Sequence, residues 1–257
     1  MTVDTRPHPV ADVAAMTART TTRILRSPET VIMGVALPVL LLLLFVYVFG
    51  GAMDTGTGYL NYVVPGIILL CAGFGSSQTA VGVASDMVHG IVDRFRSMPI
   101  TRSTFLFGHV LSSVARNLVT SWVVIAVALV MGFRPSAGPL EWLAAFGIIA
   151  LFILAISWLA AALGLLAGSE EAAGGFTFFL LFLPYVSSAF VPTDTMPAWW
   201  HSFAENQPVT PVIETVRGLL TGGPVADTAW LAVLWCAGIT LGGYLLAITA
   251  FARRTAH

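Results

Sequence analysis

The run VIMGVALPVLLLLLFVYVF, residues 31–49, carries no charge from end to end. No face of such a segment can be wetted, and its length is close to the roughly 20 residues needed to cross a bilayer core. Five more runs of the same character follow, at about 59–84, 105–133, 140–167, 172–191 and 229–251. Hydrophobic residues make up 57% of the chain and charged ones 10%, too few to cover a soluble surface. Inside a bilayer the backbone must satisfy its own hydrogen bonds, which leaves helices or closed barrels. Barrel strands are short and alternate in polarity, whereas these runs are long and solid. The sequence therefore predicts an all-α polytopic membrane protein with six transmembrane helices.

Arginine placement orients the spans. Arg6, Arg19, Arg23 and Arg26 precede the first; Arg94, Arg96 and Arg102 lie between the second and third; Arg253 and Arg254 follow the sixth. The other side holds only Arg134 and Arg217. Both termini and the 2–3 loop are expected in the cytoplasm, in a multi-pass protein of the plasma membrane. Residues 1–29 divide into a tail and an interfacial helix, ahead of a six-span domain over 30–257. Val13, Met16, Thr20 and Ile24 fall on one side at helical spacing, with Arg19, Arg23 and Arg26 beside them, the pattern of a helix lying in the headgroup plane. The polar leading segment, and a first run longer than a signal-peptide core, predict no cleaved leader.

Several functions are disfavoured. All twelve basic residues are Arg, and a Walker A loop needs a Lys to reach nucleotide phosphates, so the chain is not expected to hydrolyse ATP itself. A net charge of −1 suggests no nucleic-acid partner. Cys71 and Cys236 lie in apolar runs and read as small buried hydrophobes. No zinc-protease or nucleophile-elbow motif occurs, so no catalytic residue, bound cofactor or metal is expected. Ion-coupled transporters usually hold an ionisable group in mid-membrane. Here each Asp and Glu lies at a span end or in a loop, while His109 and Arg116 fall in the cytoplasmic third of the third span, where Arg can snorkel. An ion-coupled transporter subunit and a non-transporting scaffold are the alternatives to an ATP-driven exporter.

The stretch GIVDRFRSMPITRS, residues 90–103, concentrates charge between two long spans. On a helix over 86–98, Val88, Ile91, Val92, Phe95 and Met98 make one apolar face. Asp86, His89, Asp93, Arg96 and Ser97 take the other. Pro99 ends such a helix, and Thr101 or Ser103 can cap the next. Arg alone would satisfy the positive-inside rule; an apolar face needs something to pack on, either the ends of its own bundle or a partner's groove.

Nearer the C-terminus, residues 187–223 read SSAFVPTDTMPAWWHSFAENQPVTPVIETVRGLLTGG. Pro192 and Pro197 break the fifth span, and Trp199 and Trp200 suit an interfacial belt. Thr210-Pro211 reads as an N-cap followed by a helix-starting Pro. Glu214 and Arg217 can neutralise each other at i,i+3. Two Pro-bounded amphipathic turns favour a re-entrant segment over 193–222 above an ordinary outer loop. The second span is small and polar in its middle (Ser76, Ser77, Gln78), and small residues permit close helix approach. The fifth is aromatic (Phe176, Phe178, Phe179, Phe182, Tyr185), which suits either an apolar cargo or lipid contact.

Residues 90–117, from GIVDRFRSMPITRS onward, resemble the cytoplasmic loop of type-2 ABC exporter permeases of the daunorubicin/doxorubicin-resistance kind. The order Asp93, Arg94, Phe95, Arg96, two small or apolar residues, Pro99, Thr101-Arg102 is that family's pattern, and 187–223 is similar to its segment between the last two spans. The resemblance implies that Asp86, His89, Ile91, Asp93, Arg94, Phe95, Arg96, Met98, Pro99 and Arg102 belong to a coupling helix docking on a separate nucleotide-binding ATPase subunit, which would hold the ATP and Mg. It implies an outer re-entrant gate with Trp199, Asn206, Pro208, Thr210, Pro211, Glu214 and Arg217. It also implies that spans two and five meet a second permease half, identical or paralogous, at a central path or dimer face carrying Ser76, Ser77, Gln78, Phe176, Phe179, Phe182 and Tyr185. The function implied is outward movement of an apolar or amphipathic compound: a drug, lipid or polyketide-like molecule.

Overall fold

The computed structural model describes residues 9–25, 28–52, 58–90 and 102–254. Among these, regular structure is helical and no strand occurs. The helices are α1 (Pro9–Leu25), α2 (Pro28–Leu43, continued as a π-helical stretch over Leu44–Phe49), α3 (Tyr59–Val88), α4 (Arg102–Met131), α5 (Pro139–Leu166), α6 (Glu170–Tyr185), α7 (Ala198–Asn206), α8 (Val209–Thr221) and α9 (Ala226–Arg254). Four of them, α3, α4, α5 and α9, are long and apolar enough to cross a membrane. The first and fifth expected spans correspond to the shorter helices α2 and α6.

The bundle is built around α3, which packs on α2, α4, α5, α6 and α8. Ile67, Ile68, Leu69 and Leu70 are consecutive and all buried, which requires a helix enclosed on every side. Ala160, Ala161 and Ala162 repeat this in α5, whose other main neighbour is α9. Lipid is as apolar as Leu, so helices in a bilayer gain little by hiding Leu from it. Close approach and interhelical hydrogen bonds must hold them together, and the sequence supplies both. A Cβ on Gly164 would stand 2.3 Å from the Ala80 carbonyl oxygen, and one on Gly243 would stand 2.8 Å from the Leu159 nitrogen. Ser157 of α5 donates to Ser113 of α4 at 2.9 Å and lies 3.4 Å from Ser76 of α3. Ser77 of α3 meets Thr177 of α6 at 2.7 Å.

The helix ends differ from the sequence expectations in instructive ways. Residues 86–88 are the last turn of α3, and Gly90 follows with φ +65°, a conformation that ends a right-handed helix and that Gly adopts without Cβ strain. A single helix over 86–98 therefore does not start at Asp86; residues 91–101 lie outside the described residues. α4 begins at Arg102, which puts Ser103 in its first turn instead of at its cap. α6 stops at Tyr185, well before Pro192. Its chain then turns inward, and Ser187, Ser188, Ala189 and Phe190 are buried, with the Tyr59 hydroxyl donating to the Phe190 carbonyl (3.2 Å). At its start, Ser169 accepts from the Ala172 N–H (3.1 Å), an N-cap. Arg254, in the last turn of α9, donates to the Ala167 carbonyl at the end of α5 (2.7 Å), where the helix dipole favours a cation.

The α3–α5 contact makes a direct test. Gly164→Val forces a side chain into the Ala80 backbone, and overpacking of this kind costs roughly 1–3 kcal/mol. The detergent-solubilised protein should unfold several degrees lower by circular dichroism, while Gly147→Val, with nothing within 4 Å, should leave the midpoint unchanged. Equal midpoints for both variants would contradict the contact.

Candidate functional site

At the end of α3 that carries Gly90, three elements meet on one carboxylate. Asp86 is buried, with His109 Nε2 of α4 at 3.1 Å and Arg19 Nη1 of α1 at 3.7 Å from its Oδ2. The sequence placed Asp86 on the solvated face of a separate helix; burial on α3 corrects that, and the partners explain it, because a buried carboxylate needs paired charge and hydrogen bonds. α1 reaches this point by docking along α4. Met16 is buried against Gly108, where an added Cβ would stand 2.7 Å from the Met16 Cβ. The Ser112 hydroxyl donates to the Thr17 carbonyl (3.1 Å), and the Thr21 hydroxyl lies 3.3 Å from Ser112 Oγ. His89 is half out of the structure, bonded to the Ser85 carbonyl (2.8 Å) and 3.9 Å from Glu170. Of the other expected coupling residues, Arg102 opens α4, while Ile91, Asp93, Arg94, Phe95, Arg96, Met98 and Pro99 lie outside the described residues.

Tyr62 lies 24 residues before Asp86 on α3, about 36 Å away at 1.5 Å per residue. At that end Arg217 of α8 ties three segments together. Its guanidinium pairs with Glu214, donates to the Ser188 carbonyl (2.7 Å) and the Tyr62 carbonyl (3.2 Å), and lies 3.8 Å from the centroid of the Tyr62 ring. The expected Glu214–Arg217 pair is thus present, but most of what Arg217 does reaches other segments. α8 itself starts two residues earlier than expected, at Val209 after Pro208. Thr210 is therefore inside the helix, and its hydroxyl donates back to the Ala204 carbonyl of α7. Pro211 is buried in the first turn. Gln207, which the sequence did not single out, donates to the Leu183 carbonyl (3.2 Å). Asn206 ends α7, and Trp199 is exposed, with its ring centroid 5.0 Å from that of Trp200.

The expected central-path residues divide in two. Ser76 and Ser77 serve the helix contacts given above, whereas Gln78 is exposed and lines a cavity between α2, α3 and α4. Phe176, Phe178, Phe179, Phe182 and Tyr185 are all exposed on α6. Arg116 does not snorkel. From the middle of α4 it reaches across to α3, donating to the Gly75 carbonyl (2.6 Å) and the Thr79 hydroxyl (3.2 Å).

Residues 11–221 match the model of the ABC-2 type transporter membrane family. The chain belongs to that family. It is 29% identical to the daunorubicin resistance ABC transporter permease protein of Streptomyces coeruleorubidus, over 87% of this chain and 80% of the relative. It is 28% identical to the probable doxorubicin resistance ABC transporter permease protein of Mycobacterium tuberculosis, over 90% and 84%. A putative transport permease of Cyanophora paradoxa is 26% identical over 88% and 80%. The resemblance read from residues 90–117 and 187–223 is borne out. The ABC-2 match covers α1 through α8, so the docked N-terminal helix and the Arg217 cluster both lie within the family domain.

Arg217 should govern the stability of the α7–α8 end. Arg217→Leu leaves Glu214 and the Ser188 and Tyr62 carbonyls without their donor, and leaving buried acceptors unsatisfied costs roughly 1–3 kcal/mol. Glu214→Gln, at a side chain 35% exposed, should cost well under half as much. Thermal unfolding in detergent checks the order; equal effects would contradict it.

Proposed function

We propose that this chain is the membrane half of an ATP-driven exporter that moves an apolar or amphipathic compound outward across the plasma membrane. The observation that carries the reading is the ABC-2 match over residues 11–221, together with relatives named as drug-resistance permeases at 28–29% identity. The sequence offers no Lys for a nucleotide loop of its own. The energy source is then a separate nucleotide-binding ATPase subunit, which holds the ATP and Mg. Two permease halves, identical or paralogous, enclose the path, and the exposed aromatic face of α6 is the surface offered to the second half.

In this reading the protein has six spans, with α2 and α6 completing the four long helices, and both termini are cytoplasmic. α1 lies in the inner headgroup plane. The Gly90 end of α3 faces the ATPase subunit, and the residues from His89 to Arg102 form the docking surface, with Asp86 buried behind it. Closure of the ATPase dimer pushes on this surface and moves α3. Asp86 passes the movement to α1 and α4 through Arg19 and His109. At the far end, α3 meets α8 through Tyr62 and Arg217, so displacement there opens the re-entrant segment for the cargo to leave. These residues bind and transmit; none does bond chemistry.

Two experiments test the reading. A Cys introduced at Ser97 should be labelled from the cytoplasmic side and one at Ser202 from outside; the reverse pattern would contradict the topology. Phe95→Ala removes the largest group of the apolar docking face. Burying such a side chain is worth roughly 1.5–3 kcal/mol, which is about ten- to a hundredfold in affinity. Pull-down of the ATPase subunit from membranes with equal expression should fall accordingly. Undiminished pull-down would mean that this face packs only on its own bundle.

A further inference from the structure

Between α2, α3 and α4 lies a cavity of about 330 Å³, lined by Gly34, Leu37, Pro38, Cys71, Phe74, Gly75, Gln78, Arg116, Asn117 and Thr120. Leu37, Pro38 and Phe74 supply apolar lining, and Arg116 supplies a cation. Arg116 spends Nη2 on the Gly75 carbonyl and the Thr79 hydroxyl. Its Nε is buried and has no hydrogen-bond partner. Among the described residues no carboxylate lies within ion-pair distance of the guanidinium. Arg116 is one helical turn past Ser112, the residue on which α1 docks, and so lies inside the bundle beyond the level of α1. A charge with no neutralising carboxylate among the described residues is costly at such depth.

The cavity also stands apart from the other polar groups of the bundle. Ser76, Ser77, Ser113, Ser157 and Thr177 are paired with one another across helices. Asn117 is committed too, donating to Ser113 (2.9 Å). Gln78 and Thr120, in contrast, have no hydrogen-bond partner among the described residues. A cation and two unused hydrogen-bonding side chains thus share one cavity, and their shared complement is an anion. Gly34 and Leu37 on the α2 rim are exposed, so the cavity is open at the outer side of α2. Its volume is at the small end for a ligand site: it takes a headgroup and leaves an acyl or aromatic body outside.

We propose that this cavity binds the phosphate or carboxylate head of an anionic amphiphile entering laterally from the inner leaflet, with Arg116 as the charge partner and Gln78 and Thr120 as hydrogen-bonding groups. The inference deepens the exporter reading by naming the cargo class, and rests on it for direction. A cationic amphiphile is repelled at the same place. The anion is either the cargo's own acid group or the headgroup of an acidic lipid.

The test is binding to the permease alone, so a missing ATPase partner cannot affect it. The chain is reconstituted in phosphatidylcholine nanodiscs and titrated calorimetrically with dodecyl phosphate, dodecanoate, dodecylphosphocholine and dodecyltrimethylammonium. Saturable binding of the two anions is expected, weakened about tenfold or more by Arg116→Gln, largely kept by Arg116→Lys, and weakened several-fold by Gln78→Ala, a surface change that leaves the fold intact. The zwitterion and the cation should bind no better than to empty discs. Anion binding that is absent, or equal in wild type, Arg116→Gln and Gln78→Ala, overturns the proposal. Phosphatidylglycerol in the discs separates the sources: competition with dodecyl phosphate identifies a lipid phosphate as occupant, and unchanged affinity identifies a site kept for cargo. A preparation that binds the anions but captures no ATPase subunit would overturn the exporter reading and leave the site standing.

Discussion

The enclosure of α3 is the constraint on which the rest of the structure depends. Five helices touch it, and a stretch of four residues is buried all the way round. In a lipid solvent this cannot be achieved by large apolar side chains alone, since lipid solvates them equally well. It is achieved by removing side chains where backbones cross, as at Gly164 against Ala80. Hydroxyls paired from helix to helix do the rest, through Ser76, Ser113 and Ser157 on one side and Ser77 with Thr177 on the other. Both devices are geometrically exacting and hold α3 closely against its neighbours.

The two ends of α3 are each tied by one charged residue to elements that would otherwise be peripheral. Asp86 gathers α1 and α4; the Tyr62 end is held to α8 and to the turn after α6 by Arg217. Buried ionic groups of this kind add little net stability for the cost of desolvating them, but here each joins residues of separate segments at one point. In the proposed exporter that makes α3 the link between an ATPase subunit at one end and the re-entrant segment at the other. Arg116 lies between the two and is bonded to α3, so a ligand neutralising it would bear on the same helix.

The helix class and the order of elements were legible in the sequence because they follow from solvent: long uncharged runs have one solution in a bilayer. Glu214–Arg217 was legible from its i,i+3 spacing, whereas the spacing of Val13, Met16 and Thr20 pointed to a helix in the headgroup plane and said nothing of the packing of Met16 on Gly108 of α4. Contacts set by tertiary approach were not. No spacing rule links Asp86 to His109 or Arg217 to Ser188. Gly90 looked like one more residue of an amphipathic helix until its positive φ made it an end. Arg116 looked able to snorkel because the sequence does not say that the Gly75 carbonyl is within its reach. Ser76 and Ser77 looked like path-lining groups because small polar residues serve helix contacts and ligand paths alike.

The central claim is that this chain transmits work done elsewhere and does none of the nucleotide chemistry. ATP hydrolysis should therefore be measured in proteoliposomes holding the chain alone, its cognate ATPase subunit alone, and both together. The account predicts no hydrolysis by the chain alone, and a rate for the pair that differs clearly from that of the free ATPase subunit and responds to substitution in residues 86–102. Vanadate-sensitive hydrolysis by the rigorously partner-free chain would contradict it, as would a pair whose rate equals that of the free subunit.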